Sequence, residues 1–266
     1  MRNLALSTHP GPALAVTLVT IVLSIGVGLE PWRVVILGLA MLFGQASVGL
    51  SNDWLDAERD RAVGRSDKPV ALGLIPVTTV RSAAFVTATL AIALTLPLGV
   101  ATIVHVLFIV SAWGYNLGLK STWSSVVPYV VSFGILPLLV TSALPEPTPA
   151  AWWALGAGAL LGVAAHFANV LPDLADDAAT GVQGLPHRLG VRTSGVVIAV
   201  ALGGASTLLA RSPVLWIGCG LALVLAAFVV VLVFTRPPTR LVFRIIIATA
   251  LIDVVMLALS GAALIA

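Results

Sequence analysis

Cysteine and charge are both scarce in this chain. Its one cysteine, Cys219, sits in an apolar run. That excludes an intrachain disulfide and a cysteine-built zinc cluster, and Cys219 reads as a small buried hydrophobe. Charged residues make up 9% of the 266 positions, against about a quarter in soluble domains. There is no basic tract or aromatic-interleaved patch of the kind that binds nucleic acid. The formal net charge of +3 reports membrane topology instead. Nothing in the sequence implies a protein partner.

What fills the chain is apolar: 59% of it is hydrophobic, with a mean hydropathy of +1.09. A soluble globule of this size cannot hide that much apolar surface, so lipid must solvate much of it. A spanning helix needs about 20 apolar residues. Approximate spans fall at 13–29, 34–51, 76–97, 99–117, 124–143, 150–171, 194–210, 213–234 and 241–263. The expected fold is therefore all-α, a polytopic membrane bundle of about nine helices forming one domain over 1–266. The weakest separation is at Pro97-Leu98-Gly99. His9-Pro10-Gly11-Pro12 precedes the first apolar run, which reads as a retained helix rather than a cleaved signal peptide.

Basic residues orient these spans. With the N-terminus inside, the cytoplasmic segments hold Arg2; Arg59, Arg61, Arg65, Lys68 and Arg81; Lys120; Arg188 and Arg192; and Arg236, Arg240 and Arg244. Only Arg33 and Arg211 fall outside. This asymmetry satisfies the positive-inside rule and predicts a cell-membrane protein with its N-terminus cytoplasmic and its C-terminus outside.

The few acidic residues are clustered. Asp53, Asp56, Glu58, Asp60 and Asp67 follow the second span, and Asp173, Asp176 and Asp177 follow the sixth. The two stretches share a pattern. Asn52, Asp56, Asp60, Gly64, Pro69, Leu72 and Gly73 recur as Asn169, Asp173, Asp177, Gly181, Pro186, Leu189 and Gly190, each 117 positions later. Seven identities at one offset point to an internal duplication, with pseudo-repeats at roughly 10–122 and 123–238 and a last helix at 241–263. Four helices per repeat keep both halves in one orientation, so the two clusters face each other at the cytoplasmic mouth of a central cavity.

On a helix, Asn52, Asp56 and Asp60 share one face, as do Asn169, Asp173 and Asp177. Stacked like charges destabilise a helix unless something neutralises them. All-oxygen donors point to a hard ion such as Mg²⁺, which completes its shell with phosphate oxygens. Arg61, Arg65 and Lys68 follow the first cluster, Lys120 ends the fourth span after Tyr115, and Arg188 and Arg192 follow the second cluster. Facing carboxylates, nearby cations and an apolar cavity fit a ligand with a diphosphate head and a hydrocarbon tail. Metal and cations would stabilise the leaving diphosphate, and a water-poor cavity would protect the allylic cation.

Asn52-Asp53-Trp54-Leu55-Asp56 through Asp60 resembles the first aspartate signature of the UbiA-type intramembrane prenyltransferases. Asp173 through Asp177 resembles their second, and Tyr115 through Lys120 their Tyr…Lys segment. The resemblance covers essentially the whole chain. It implies that Asp53, Asp56, Asp60, Asp173 and Asp177 organise two Mg²⁺ on a prenyl diphosphate, with Asn52 assisting. Lys120, Arg65 and Lys68 would contact phosphate. Tyr115, Asn169 and Arg188 complete the expected substrate-binding set. Family members that act on 4-hydroxybenzoate carry a basic residue early in the first helix, whereas residues 10–29 here have no Lys or Arg. His9 is the only nearby candidate, which leaves room for a quinone precursor, another phenol or a lipid acceptor.

The expected activity is Mg²⁺-dependent prenyl transfer to a small aromatic or quinone-like acceptor at the cytoplasmic side, among membrane lipids. Three readings compete with it: a membrane terpene cyclase, a phosphoribosyl transferase acting on a polyprenyl phosphate, and a transporter. Transporters place charge and broken helices near the bilayer midplane, whereas here charge gathers at helix ends. Away from the clusters, Glu58 and Asp67 read as solvated, and Arg236, Arg240 and Arg244 as headgroup contacts. Asp253, inside the last span, reads as a structural hydrogen bond or a protonated carboxyl. His105 and His166 read as satisfied polar groups between helices, although His166, at i+3 before Asn169, can also reach a pocket. Trp152 and Trp153 read as an interfacial belt. Trp113, Tyr115, Tyr129 and Phe133 are candidates for ring-face stabilisation of a cation.

Overall fold

Proline and glycine punctuate the apolar runs and decide where helices begin and end. The computed structural model describes residues 2–66, 68–174, 177, 181–235 and 240–265, with the side chains of 173, 240, 241 and 243 left aside. A short α1 (Arg2–Leu6) precedes α2 (Pro10–Gly26), which begins earlier than expected because Pro10 sits in the first turn, where a missing N–H costs nothing. Pro31 opens α3 (Pro31–Leu55) in the same way, and α4 (Ala57–Ala62) follows almost directly. Next come α5 (Val77–Thr95) and α6 (Ala101–Leu117). The weak separation between them is real: a 3₁₀ turn at Leu96–Leu98 and Gly99 at φ 61° end α5.

The fifth expected span is broken into α7 (Val127–Gly134) and α8 (Leu136–Ser142). Pro137 has no N–H for the Phe133 carbonyl four residues back, so the ladder fails there. The later helices are α9 (Trp152–Val170), α10 (Leu185–Leu209), α11 (Pro213–Thr235) and α12 (Arg240–Leu259). The span expected at 194–210 is the part of α10 beyond a kink at Gly190 (φ 75°, ψ 171°).

Among the described residues, five helical stretches are long and apolar enough to cross a membrane: Pro31–Leu55, Val77–Leu98, Trp152–Val170, Leu185–Leu209 and Pro213–Thr235. Three shorter apolar stretches accompany them: Pro10–Gly26, Ala101–Leu117 and Val127–Ser142. On α11, Val214, Ile217, Leu221, Val224, Phe228 and Val231 are exposed while Leu215, Ala222, Ala226 and Val229 are buried. An exposed apolar stripe at helical spacing is what a lipid-facing helix presents.

Small residues let the helices approach closely. A Cβ built on Gly158 of α9 would lie 2.4 Å from the Phe133 carbonyl oxygen, and one on Gly162 would lie 2.4 Å from that of Tyr129. The first of these is the carbonyl that Pro137 leaves without its helical donor. The two ends of the bundle differ in kind. At one end Arg33 donates to the Ala143 carbonyl at 2.9 Å, Arg211 lies over the Trp153 ring, and the Ala151 amide donates to the Leu264 carbonyl. Trp153 is thus buried beneath an arginine, and only Trp152 faces outward as an interfacial residue would. Asp53, Asp56, Asp60, Lys120 and Asp177 gather at the other end. Between the ends, Asp253 of α12 is fully buried and accepts from the Ser206 hydroxyl of α10 at 2.5 Å.

Several backbone details repeat 117 positions apart. Gly64 and Gly181 have φ of 69° and 79°, and Gly73 and Gly190 have φ of 69° and 75°. The Arg65 amide donates to the Asp60 carbonyl, as that of Val182 does to Asp177.

Gly158→Ala should lower stability by about 1–3 kcal/mol, the usual cost of overpacking, because the new methyl meets backbone. Gly220, with nothing within 4 Å of its would-be Cβ, is the control, and Gly220→Ala should be neutral or slightly stabilising. Thermal unfolding in detergent compares the two.

Candidate active site

The first acidic cluster sits where α3 passes into α4. Although the helix is interrupted at Asp56, the amides of Asp56 and Asp60 still donate to the carbonyls of Asn52 and Asp56. The three aspartates of the signature are buried: Asp53 is 1%, Asp56 5% and Asp60 3% exposed. Buried carboxylates need partners, and here the partners are cations. Asp56 Oδ1 accepts from Lys120 Nζ, while its Oδ2 takes Arg59 Nη2 at 2.8 Å and Asn52 Nδ2 at 3.0 Å. Lys68 Nζ lies 2.9 Å from Asp60 Oδ2 and 3.2 Å from Asp53 Oδ1, and it donates to Asn52 Oδ1 at 3.0 Å. Asp53 Oδ1 also pairs with His9 Nε2 at 2.8 Å.

The two lysines answer differently to their surroundings. Burial works against the charge of Lys68, but Asp53 and Asp60 outweigh it and hold the ammonium above its ordinary value. Burial dominates at Lys120: it has Asp56 beside it but also feels Arg59 and Lys68, and its pKa falls below the ordinary value. Gly118 (φ 149°) lets the chain leave α6 and turn through Leu119–Ser121, which brings Lys120 back over Asp56. Asn116, one turn earlier, ties α6 to α3 by donating to the Val48 carbonyl at 2.9 Å and the Ser51 hydroxyl at 2.8 Å.

The second cluster behaves differently. α9 stops at Val170 and gives way to a 3₁₀ turn over Leu171–Asp173 with Pro172 in its first positions. Pro172 has no N–H for the Ala168 carbonyl four residues back, so the ladder is interrupted between Asn169 and Asp173. Asp177 Oδ2 lies 3.4 Å from His187 Nε2.

A cavity of about 350 Å³ joins the two halves. Its polar side carries Asn52, Asp56, Arg59, Arg65, Lys68 and Lys120, faced by Asn169, Asp177 and His187. Its apolar side carries Val16, Phe108, Tyr115, Tyr129 and Phe133. The Tyr115 and Tyr129 rings meet edge to face at 5.3 Å, and Tyr129 stacks parallel to Phe133 at 6.2 Å.

Of the expected site residues, the structure brings His9, Asn52, Asp56, Arg65, Lys68, Tyr115, Lys120, Asn169 and Asp177 to this cavity. Asp53 and Asp60 lie one layer behind, as the carboxylates that hold Lys68. The side chain of Asp173, together with Asp67, Asp176 and Arg236, lies outside the described residues. One expectation needs correction: Arg188 is not at the cavity. It is exposed, stacks 4.6 Å over Trp123 and donates to the Gln183 carbonyl, because the turn that opens α10 points it outward. Trp113 also leaves the cavity and packs with Trp54 and Phe85. Glu58 is exposed, as a solvated residue should be. Sequence reasoning missed Arg59, Asn116 and His187 as cavity residues. Arg59 follows Asp56 by three residues, so helical spacing from a recognised residue would have found it, whereas Asn116 and Lys120 lie on opposite sides of the Gly118 turn.

The structure is thus a helical bundle with carboxylates and cations gathered at one end of an aromatic-lined cavity. The family model of the UbiA prenyltransferase family matches residues 13–262, so the chain belongs to that family and is an integral membrane protein of transferase type. A UbiA homologue from Archaeoglobus fulgidus, solved with GPP and Mg²⁺, superposes with a TM-score of 0.71 at 12% identity, covering 97% of this chain and 99% of that one. A UbiA homologue from Aeropyrum pernix K1 in the apo state gives 0.70 at 13% identity, covering 91% and 96%. A digeranylgeranylglyceryl phosphate synthase gives 0.65 at 16% identity, covering 98% of each chain. Identities this low speak for the shared fold. No curated protein sequence matches the chain.

Lys68→Met would leave Asp53 and Asp60 buried with weakened compensation. It should cost about 2 kcal/mol or more in stability, and Asp60→Asn in the same chain should recover part of that loss. A double-mutant cycle on thermal unfolding checks the coupling.

Proposed function

We propose that this protein transfers a prenyl group from a Mg²⁺-bound prenyl diphosphate to an aromatic or quinone-like acceptor at the cytoplasmic side of the membrane. One observation supports this most: a single cavity sets cation-paired carboxylates against a wall of apolar and aromatic side chains, matching a diphosphate head and a hydrocarbon tail. The Archaeoglobus fulgidus homologue, bound to GPP and in a second structure to DMAPP, each with Mg²⁺, lends the same support. The concentration of basic residues at the carboxylate end favours that end as the cytoplasmic one. The paired glycine conformations at 64/181 and 73/190 favour a duplicated scaffold over 10–122 and 123–238.

The donor set suits magnesium. Among the described residues no three acidic or histidine side chains already form a metal cage; instead Asp56 and Asp177 border the cavity from different halves. Mg²⁺ is typically held by one or two carboxylates plus waters and phosphate oxygens, so a sparse oxygen set fits it. Asp56 and Asp177 would hold it, with Asp53, Asp60 and Asp173 completing the family's set. Bound there, the metal would neutralise the charge that develops on the departing diphosphate.

The rest falls to side chains of this chain. Lys120, Lys68 and Arg65 bind diphosphate oxygens, and Asn52 and Asn169 orient the head. As the allylic carbon–oxygen bond breaks, its electron pair leaves with the diphosphate. Tyr115, Tyr129 and Phe133 face the resulting cation with their rings, and the apolar wall keeps water from it. The acceptor then supplies an electron pair to the allylic carbon and loses a proton.

Purified protein given labelled geranyl, farnesyl or geranylgeranyl diphosphate should release diphosphate only with Mg²⁺, and EDTA should abolish the release. Asp56→Asn should lower the rate by more than about 100-fold while keeping the fold. Release that is indifferent to EDTA or to Asp56→Asn would sink the proposal.

A further inference from the structure

His166 is fully buried in α9, yet it borders the cavity. Its two ring nitrogens have different surroundings. Nε2 lies 3.0 Å from the Ser125 hydroxyl oxygen, and that oxygen already accepts the Leu185 amide at 2.8 Å. Ser125 is itself fully buried, so its hydroxyl proton needs an acceptor. Among the described residues the acceptor in reach is His166 Nε2. A ring nitrogen that accepts carries no proton in the neutral imidazole, so the proton sits on Nδ1.

That Nδ1 has no hydrogen-bond partner. Around the imidazole stand the rings of Tyr115 at 5.7 Å, Tyr129 at 5.0 Å and Phe167 at 5.5 Å. The Tyr129 hydroxyl oxygen accepts from Asn169 Nδ2 at 3.3 Å. A buried donor without an acceptor, on the wall of a binding cavity, is an unmet half of a hydrogen bond.

We infer that the His166 Nδ1–H is the recognition point for the prenyl acceptor: it donates to a neutral oxygen, a phenolic hydroxyl or a quinone-type carbonyl, on a planar ring seated against Tyr115 and Tyr129. This rests on the prenyl-transfer reading and adds the acceptor's chemistry to it. The charges around the cavity favour a neutral oxygen over a carboxylate. In this reading Arg65, Lys68 and Lys120 serve the diphosphate, and Arg59 is paired with Asp56 and Asp60. His9, the candidate for an acceptor carboxylate, is held by Asp53. A neutral imidazole fixed by Ser125 supplies one donor and no charge, which suits a ligand oxygen that is also uncharged.

The test compares the wild type with His166→Phe, which keeps an aromatic ring but removes the N–H, and His166→Gln, which restores a donor. With geranyl diphosphate and Mg²⁺, 1,4-dihydroxynaphthalene serves as the neutral acceptor and 4-hydroxybenzoate as the carboxylated one. The wild type should show the lower KM for the neutral probe. His166→Phe should raise that KM about five- to tenfold, the loss of one neutral hydrogen bond. The KM for geranyl diphosphate should stay unchanged, which also shows that the variant is folded, and His166→Gln should recover part of the loss. An acceptor KM unmoved by His166→Phe, equal effects on both substrates, or preference for the carboxylated probe would overturn the inference. Absence of Mg²⁺-dependent diphosphate release from the wild type would instead count against prenyl transfer itself.

Discussion

Lys68 and Lys120 are buried against the carboxylates of Asp53, Asp56 and Asp60, and the arrangement of the cavity follows from that. Charges inside an apolar bundle survive only when matched. Each cation is placed by a different local device: Lys120 by the turn after Gly118, Lys68 by the chain beyond α4, and Arg59 by helical spacing from Asp56. Removing any one leaves a buried opposite charge behind, which costs more than the pair contributes. The network therefore acts less as a source of stability than as a constraint on where α3, α4 and the end of α6 can lie. It also keeps cation and carboxylate together at one edge of an apolar cavity, as a metal-bound diphosphate requires.

The scaffold that holds this network is built on close approach. Gly158 and Gly162 bring α9 against the carbonyls of α7, and the Pro137 break leaves one of those carbonyls without its helical donor. Asn116 fastens α6 to α3 through two hydrogen bonds. In a membrane the hydrophobic effect does little to draw helices together, so van der Waals contact and such polar ties do much of the work. The tyrosines that line the cavity stand on α6 and α7, the two elements these contacts position.

Much of this was legible in the sequence, because few residues carry polarity and their spacing is regular. Asp53, Asp56 and Asp60 after the second span, Lys120 after the fourth and the break at Pro97-Leu98-Gly99 all stand where the sequence pattern placed them. What could not be read was which side of a turn a residue faces. Arg188 sits two residues past Pro186 and looks like a phosphate ligand, but the start of α10 points it at Trp123. Asp53 belongs to the same signature as Asp56, three residues on, yet it is turned toward Lys68 and His9. His166 read as a satisfied histidine, and half of it is: Ser125 satisfies Nε2, but only the three-dimensional surroundings reveal the partnerless Nδ1. Helix ends shifted wherever proline moved them, at Pro10, Pro137 and Pro172.

The most direct test of the central interaction is a structure determined with Mg²⁺ and an unreactive geranyl thiodiphosphate. The expected result has the diphosphate in this cavity, Asp56 and Asp177 on the metal side, and Lys68 and Lys120 turned from their carboxylates toward phosphate oxygens. A diphosphate bound elsewhere, with Lys120 still closed on Asp56, would contradict it.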